Sequence, residues 1–230
     1  MSLSRVRRQF VRRIYNPSYR TMRLFAIPIL IFLVACNENP DSSGPVRHLF
    51  YLHGRIIELQ GTDAVSPEFG PYLFNAIIDS LKVTGNVLHF EVRNAQTDFD
   101  KFCRKTSAEI DQLISEGIAP GEITVIGASK GAVMAMAISD LNQNPVNYVL
   151  LGANNDYLEK TYSWNLHGRI LGIYERSDSI AGKDYSFWIH ASSNAKEFQE
   201  LEINTGLGHG FLYRPIKAWL EPARNWMLIR

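Results

Sequence analysis

The residues most able to do chemistry in this chain lie in the run Gly127-Ala128-Ser129-Lys130-Gly131. A short β-rich stretch, Glu122-Ile123-Thr124-Val125-Ile126, delivers this GxSxG, and an alanine-rich helical stretch follows it. A serine held on a tight turn between strand and helix presents its hydroxyl outward, and flanking glycines let the neighbouring chains pass without a clash. The helix that starts there aims N–H groups at any negative charge developing beside the serine. The N–H of Lys130, one residue past it, would be one donor to an oxyanion. A bare GxSxG arises by chance in about one chain in ten of this length, from average glycine and serine usage. The strand before it and the helix after it make chance a much poorer account.

A serine hydroxyl becomes a good nucleophile only when a base takes its proton and a carboxylate orients that base. Three histidines follow Ser129: His167, His190 and His209. His167 stands before a strand-like run and His190 in an aromatic segment. His209 lies on a glycine-rich stretch, Thr205-Gly206-Leu207-Gly208-His209-Gly210, of the kind that carries function. The carboxylates after strand-like runs are Asp178, Glu175 and Asp156.

The elements that must position these groups alternate between strand-like and helix-like, the pattern of an α/β domain with a parallel sheet. Strands are expected at 48–52, 86–92, 123–126, 148–151, 169–174 and 200–203. Helices are expected at 71–81, 98–116, 129–142 and 215–226. In the second of these, Phe102, Ile110, Leu113 and Ile114 form a one-sided apolar stripe, which reads as packing surface.

On these residues the chain resembles the α/β-hydrolase superfamily over most of 46–229. The resemblance implies a predominantly parallel sheet of about six strands with helices on both faces. It also implies a serine esterase-like hydrolase with the triad in the order Ser129, Asp178, His209. Upstream, His48-Leu49-Phe50-Tyr51-Leu52-His53-Gly54-Arg55 resembles the strand and HG loop that supply the second oxyanion donor in lipases and esterases. By that resemblance the donor is the backbone N–H of Arg55 or a neighbour, although Arg55 and Ile56 stand where the HGGG pattern has glycines. His53 reads as a residue that steadies this loop. Glu175 and Asp156 stay open as alternative acids, Asp156 at a position some members use.

Arg55, Glu58 and Arg93 fall near the carboxyl ends of their strands, the edge where such folds bind ligands. They read either as a structural ion pair or as contacts for a substrate carboxylate or phosphate. The Lys130 side chain reads as an exposed helix-start group or a substrate contact. Tyr157, Tyr162, Trp164, Tyr185, Phe187 and Trp188 could wall an acyl pocket or fill the core. The short chain between the strands expected at 148–151 and 169–174 leaves little room for a lid, which favours small or soluble esters. No HExxH, CxxC or GxxxxGK[ST] occurs, so neither a metal nor a cofactor is expected.

The amino terminus reads as an address. Leu24 to Ala35 runs without a charge, an arginine-rich stretch precedes it, and Cys36 and a polar run follow. Twelve residues are few for a membrane span and match the apolar region of a signal peptide. Leu33-Val34-Ala35-Cys36 resembles the lipobox of bacterial lipoproteins, which implies lipid on Cys36 and a mature chain that starts there. On this reading 1–35 is the signal, 36–45 a polar tether and 46–230 the hydrolase domain, held to a membrane of the bacterial cell envelope. Met22-Arg23 would by itself begin a compact signal, with translation starting at Met22. A plain anchor or a buried apolar segment is the alternative. With Cys36 lipidated, Cys103 has no partner for a disulfide.

Seven arginines and no acidic residue precede Cys36; the remainder has 17 basic against 23 acidic side chains, a formal charge of −6. A mildly acidic body without a basic cluster argues against nucleic acid as partner. The 46% hydrophobic and 20% charged composition suits one globular domain with a full core. The function expected is hydrolysis of a small-molecule ester through an acyl-enzyme. Peptidase, thioesterase or acyltransferase chemistry at the same serine is a rival, since fold does not fix substrate. A catalytically silent envelope lipoprotein that binds a partner is a rival of another class.

Overall fold

The computed structural model describes residues 45–83 and 85–228. All of them belong to one unit, Asp41–Arg230. The expected signal segment, Cys36 and the expected tether up to residue 44 lie outside the described residues. Six strands make one all-parallel sheet: β1 (Arg47–Leu52), β4 (Asn86–Phe90), β5 (Ile123–Ala128), β6 (Asn147–Leu151), β7 (Gly168–Glu175) and β8 (Ala195–Ile203). Two short strands, β2 (Val65–Ser66) and β3 (Gly70–Pro71), pair antiparallel outside it. The seven helices described are α1 (Arg55–Gln60), α2 (Phe74–Leu81), α3 (Phe99–Ser115), α4 (Lys130–Leu141), α5 (Asp156–Thr161), α6 (Ser186–Ala191) and α7 (Lys217–Leu228).

Side chains alternate across the sheet, so each strand feeds both cores. Leu49, Tyr51, Ile126, Ala128, Val149, Leu151, Leu171 and Ile173 point to one face, covered by α2 and α7 through Ile77, Leu81, Trp219 and Trp226. Phe50, Leu52, Val125, Tyr148, Leu150 and Ile170 point to the other, covered by α3 and α4 through Phe102, Ile110, Met134 and Ile138. Strands buried on both sides need apolar residues at successive positions, which is why Arg47–Leu52 and Asn147–Leu151 read as near-continuous apolar runs. Helix α4 is buried around most of its circumference, and its alanines and glycine let it lie close against the sheet.

The strand order is β4-β1-β5-β6-β7-β8. From β1 the chain goes first to one side, to β4, and then returns to the other side, to β5. Neighbouring connections diverge at this switch, and a crevice opens at the carboxyl ends of β1 and β5. Between β6 and β7 the only helix is the six-residue α5, so no helical lid is built there.

Several expected bounds shift. The strand expected at 86–92 ends at Phe90, and the helix expected from 71 begins at Phe74 because Pro71 is taken up by β3. Strand β8 starts at Ala195, five residues before the expected start, because it is an edge strand whose amino-terminal half exposes Lys196 and Gln199. Cys103 is a free, buried thiol in α3, and burial pushes it up to about 12.

Candidate active site

Ser129 sits between the last residue of β5 and the first of α4 with φ 53° and ψ −121°. It is the one non-glycine residue of positive φ among those described. This strained conformation persists because its surroundings over-determine it. The Ser129 N–H donates to the Leu151 carbonyl at 2.9 Å, and its own carbonyl accepts from the N–H groups of Ala132 and Val133. The glycines are required by close approach: a Cβ on Gly131 would lie 1.9 Å from the Leu52 carbonyl oxygen, and one on Gly127 2.3 Å from that of Gly131. The tight turn expected at GxSxG is what the chain forms.

His209 stands in a 3₁₀ turn, Gly208–Tyr213, between β8 and α7. Its Nε2 lies 2.9 Å from Ser129 Oγ, and its Nδ1 lies 2.7 Å from Asp178 Oδ2. A carboxylate can only accept, so Nδ1 carries the proton and Nε2 is left as the acceptor for the serine hydroxyl. The other carboxylate oxygen of Asp178 accepts the N–H groups of Ile180 and Ala181 at 2.8 and 3.0 Å. Burial pushes the Asp178 carboxyl up. The hydrogen bond and charge of His209, with the two backbone N–H groups, more than offset this and hold it below the usual carboxylate range.

Arg55 and Lys130 are the first residues of α1 and α4, so neither N–H has a partner within its own helix. A Cβ on Gly54 would lie 3.5 Å from the Ser129 Cβ, which brings the β1–α1 turn against the serine. Both helices therefore start at the same point beside the hydroxyl. Sequence reasoning took residues 53–56 as a loop and missed α1; a six-residue helix is too short to show a period.

Beneath this point lies a charged network. Arg93 Nε donates to Glu58 Oε1 at 3.0 Å, and Lys130 Nζ to Glu58 Oε2 at 2.5 Å. The Arg93 and Glu58 side chains are 0% and 2% exposed, so of the readings for Glu58 and Arg93 the structure shows the ion pair. Lys130, expected as an exposed helix-start group, is instead part of that pair. The Arg93 guanidinium also donates to the His53 carbonyl, while the Arg93 backbone N–H donates to His53 Nε2 at 2.9 Å. Burial first, and then the Arg93 charge, lower His53 to about 4. It is a neutral ring that ties β1's end to the chain after β4. Arg55 is exposed and has no part in this network.

The remaining candidates fall elsewhere. Glu175 is buried beside Ser177 and Thr205, with no bond to His209. Asp156 is an exposed partner of Lys183 at 2.7 Å. His167 bonds the Ser139 carbonyl and the Asn194 amide, and His190 is exposed, its Nδ1 bonded to the Ser186 carbonyl. Tyr185 and Trp188 are core residues, Tyr162 and Trp164 stack on one another at 4.1 Å, and Tyr157 and Phe187 are exposed. None of the six aromatics lines the cleft at Ser129. That cleft, about 200 Å³, is bordered instead by Arg55, Ile56, Tyr72, Ile180, Leu212 and Tyr213, together with Ser129 and His209. These come from five separated segments, so no local signal in the sequence groups them.

Solved structures share this architecture. A phospholipase/carboxylesterase from Dyadobacter fermentans is 11% identical with a TM-score of 0.54, over 81% of this chain and 92% of that one. Est1E from Butyrivibrio proteoclasticus is 12% identical with a TM-score of 0.50, over 80% and 88%. A putative YdeN-like hydrolase from Pectobacterium atrosepticum is 13% identical with a TM-score of 0.50, over 79% and 91%. No protein-family model and no curated protein matches the chain by sequence.

Proposed function

The chain has the α/β-hydrolase fold, and from the site on it we propose a serine hydrolase that cleaves a small carboxylic ester through an acyl-enzyme. The observation that carries the reading is the unbroken line of hydrogen bonds Ser129–His209–Asp178, with Ser129 held at positive φ. Ser129 Oγ attacks the ester carbonyl while His209 Nε2 takes its proton, and Asp178 stabilises the imidazolium that results. The N–H groups of Lys130 and Arg55 are the donors for the oxyanion. His209 then gives the proton to the departing alkoxide, and water, activated by the same imidazole, releases the acid. The cleft is small and mostly apolar in its lining, which suits a short acyl group better than a long lipid chain. Cys36 we propose to be lipidated, tethering the domain to a membrane of the bacterial cell envelope.

The test is turnover of p-nitrophenyl acetate and longer p-nitrophenyl esters by the full chain in mild detergent, with fluorophosphonate labelling, wild type beside Ser129→Ala. Turnover and labelling are expected in the wild type and lost in the variant, with activity falling as the acyl chain lengthens. A folded wild type that takes no label sinks the assignment and leaves a silent binding lipoprotein as the reading. Labelling without ester turnover moves the chemistry to a peptidase, thioesterase or acyltransferase. Incorporation of labelled palmitate, abolished by Cys36→Ala, is the expected result for the anchor.

A further inference from the structure

We propose that Glu175 is a positioning residue of the Ser129 site, its buried carboxylate locking the acid-bearing turn after β7 to the base-bearing loop after β8. The proposal rests on the serine-hydrolase reading for its catalytic consequence. The β7–β8 ladder ends at the pair Glu175 and Ile203, with one further bond from the Arg176 N–H to the Ile203 carbonyl. Beyond that point the two chains part, one toward Asp178 and the other toward His209, and no backbone pairing holds them in register. The Glu175 side chain takes over. Its Oε2 accepts the Ser177 N–H at 2.6 Å and the Ser177 hydroxyl at 2.5 Å. Its Oε1 accepts the N–H groups of Thr205 and Gly206 at 2.8 and 3.0 Å, with the Thr205 hydroxyl at 3.4 Å.

The Ser177 hydroxyl completes the link. While it donates to Glu175 it accepts the Gly208 N–H at 3.2 Å, one residue before His209. One carboxylate with no exposed surface thus fixes residues 177, 205, 206 and, through Ser177, 208. Every partner is a donor, so the group must be an ionised acceptor on both oxygens. Burial alone would raise its pKa, and the donors from Ser177, Thr205 and Gly206 hold it below the usual range. A general base is useful only at the right distance from its acid and its nucleophile, and misplacement of about 1 Å costs on the order of 100-fold. Among the described residues these strand ends are otherwise joined by the Asp178–His209 bond itself, by the Arg176 N–H bond to the Ile203 carbonyl and by the exposed Arg176–Glu202 ion pair, and neither Arg176 contact reaches beyond Ile203.

Glu175→Gln tests this, because one oxygen becomes an NH2 that faces donors and one side of the link fails. In the full chain in mild detergent, kcat for p-nitrophenyl acetate is expected to fall about 10- to 100-fold with KM within about twofold. The downfield proton NMR signal of the His209 Nδ1–H bonded to Asp178 is expected to broaden or move upfield. Ser177→Ala, which keeps the carboxylate and loses the hydroxyl link, is expected to move both readouts in the same direction by less, and it serves alone if Glu175→Gln does not fold. Glu175→Gln with the wild-type resonance and kcat within about twofold overturns the proposal. So does a loss of activity that only tracks the unfolded fraction. If the wild type shows no turnover and takes no label, the serine-hydrolase reading has failed, and the His209 resonance still decides whether Glu175 positions the pair.

Discussion

Asp178 places different demands on its two oxygens: one takes the N–H groups of Ile180 and Ala181, the other faces His209 Nδ1. In Asp178→Asn the amide oxygen must keep the side facing the two N–H groups, which turns the NH2 toward His209. Nδ1 must then give up its proton to act as acceptor, and the proton moves to Nε2. There it meets the Ser129 hydroxyl, and the imidazole can no longer act as base. A folded Asp178→Asn chain is therefore expected to lose about 10³- to 10⁴-fold in kcat for p-nitrophenyl acetate. Full activity in that variant would return Asp178 to the status of a structural carboxylate. The sequence placed Asp178, Glu175 and Asp156 alike after strand-like runs. What separates them is the turn at Ile180 and Ala181 and the approach of a loop some thirty residues on, neither of which has a local sequence signature. Ser129 and its glycines were legible because their signal is steric and local.

Among the elements, α1 is the one the sequence hid and the one with most bearing on the site. Its first residue lies beside Ser129, and its fourth, Glu58, reaches Lys130 at the start of α4 and Arg93 beyond β4. Three segments are held by two ion pairs to one carboxylate. Because Arg93 and Glu58 are almost fully buried, removing the carboxylate leaves a charge that water cannot reach. Glu58→Ala is expected to destabilise the domain by about 3–5 kcal/mol, measured by urea denaturation of residues 37–230, which contain both apolar cores. The double change Glu58→Met with Arg93→Met is expected to recover part of the loss, since the orphaned charge is gone. A cost under about 1 kcal/mol for Glu58→Ala would mean that Arg93 finds solvent and the network does not clamp the site. The long elements were readable for the opposite reason: buried strands and α3 carry their period or apolar run in their own residues. The first half of β8 carries neither, since Lys196, Glu197 and Gln199 leave no apolar run and no regular alternation at the sheet's edge.

For the molecule as a whole, the reversal of strand order at β1 and β5 decides where function sits, and the neutral, buried His53 at that reversal makes stability depend on pH. Its ring accepts the Arg93 N–H through Nε2 and donates to the Gly54 carbonyl through Nδ1, so a second proton would have no acceptor and would sit beside the Arg93 charge. Its folded pKa, about 4, lies below the ordinary value of 6.5. Between those values the unfolded chain binds a proton that the folded chain refuses. The stabilisation is thus complete above about pH 6.5 and is lost progressively as the pH falls to about 4. The gap corresponds to about 3 kcal/mol. His48 and His89, hydrogen-bonded to each other at 2.9 Å and both lowered chiefly by burial, act in the same direction. Asp178 and Glu175 have folded pKa values below 3.8 and 4.5, so their contribution is present above those values and disappears only at more acid pH. Two limbs are expected in urea-denaturation stability against pH: a histidine limb from about 6.5 to 4, and a carboxylate limb below about 4.5. His53→Asn should reduce the first limb to the part due to His48 and His89 and leave the second, whereas Glu175→Gln should blunt the second and leave the first. A wild-type stability that stays constant from pH 6.5 to 4.5 would mean that His53 can accept a proton in place, and the oxyanion-side turn would then be looser than its hydrogen bonds imply.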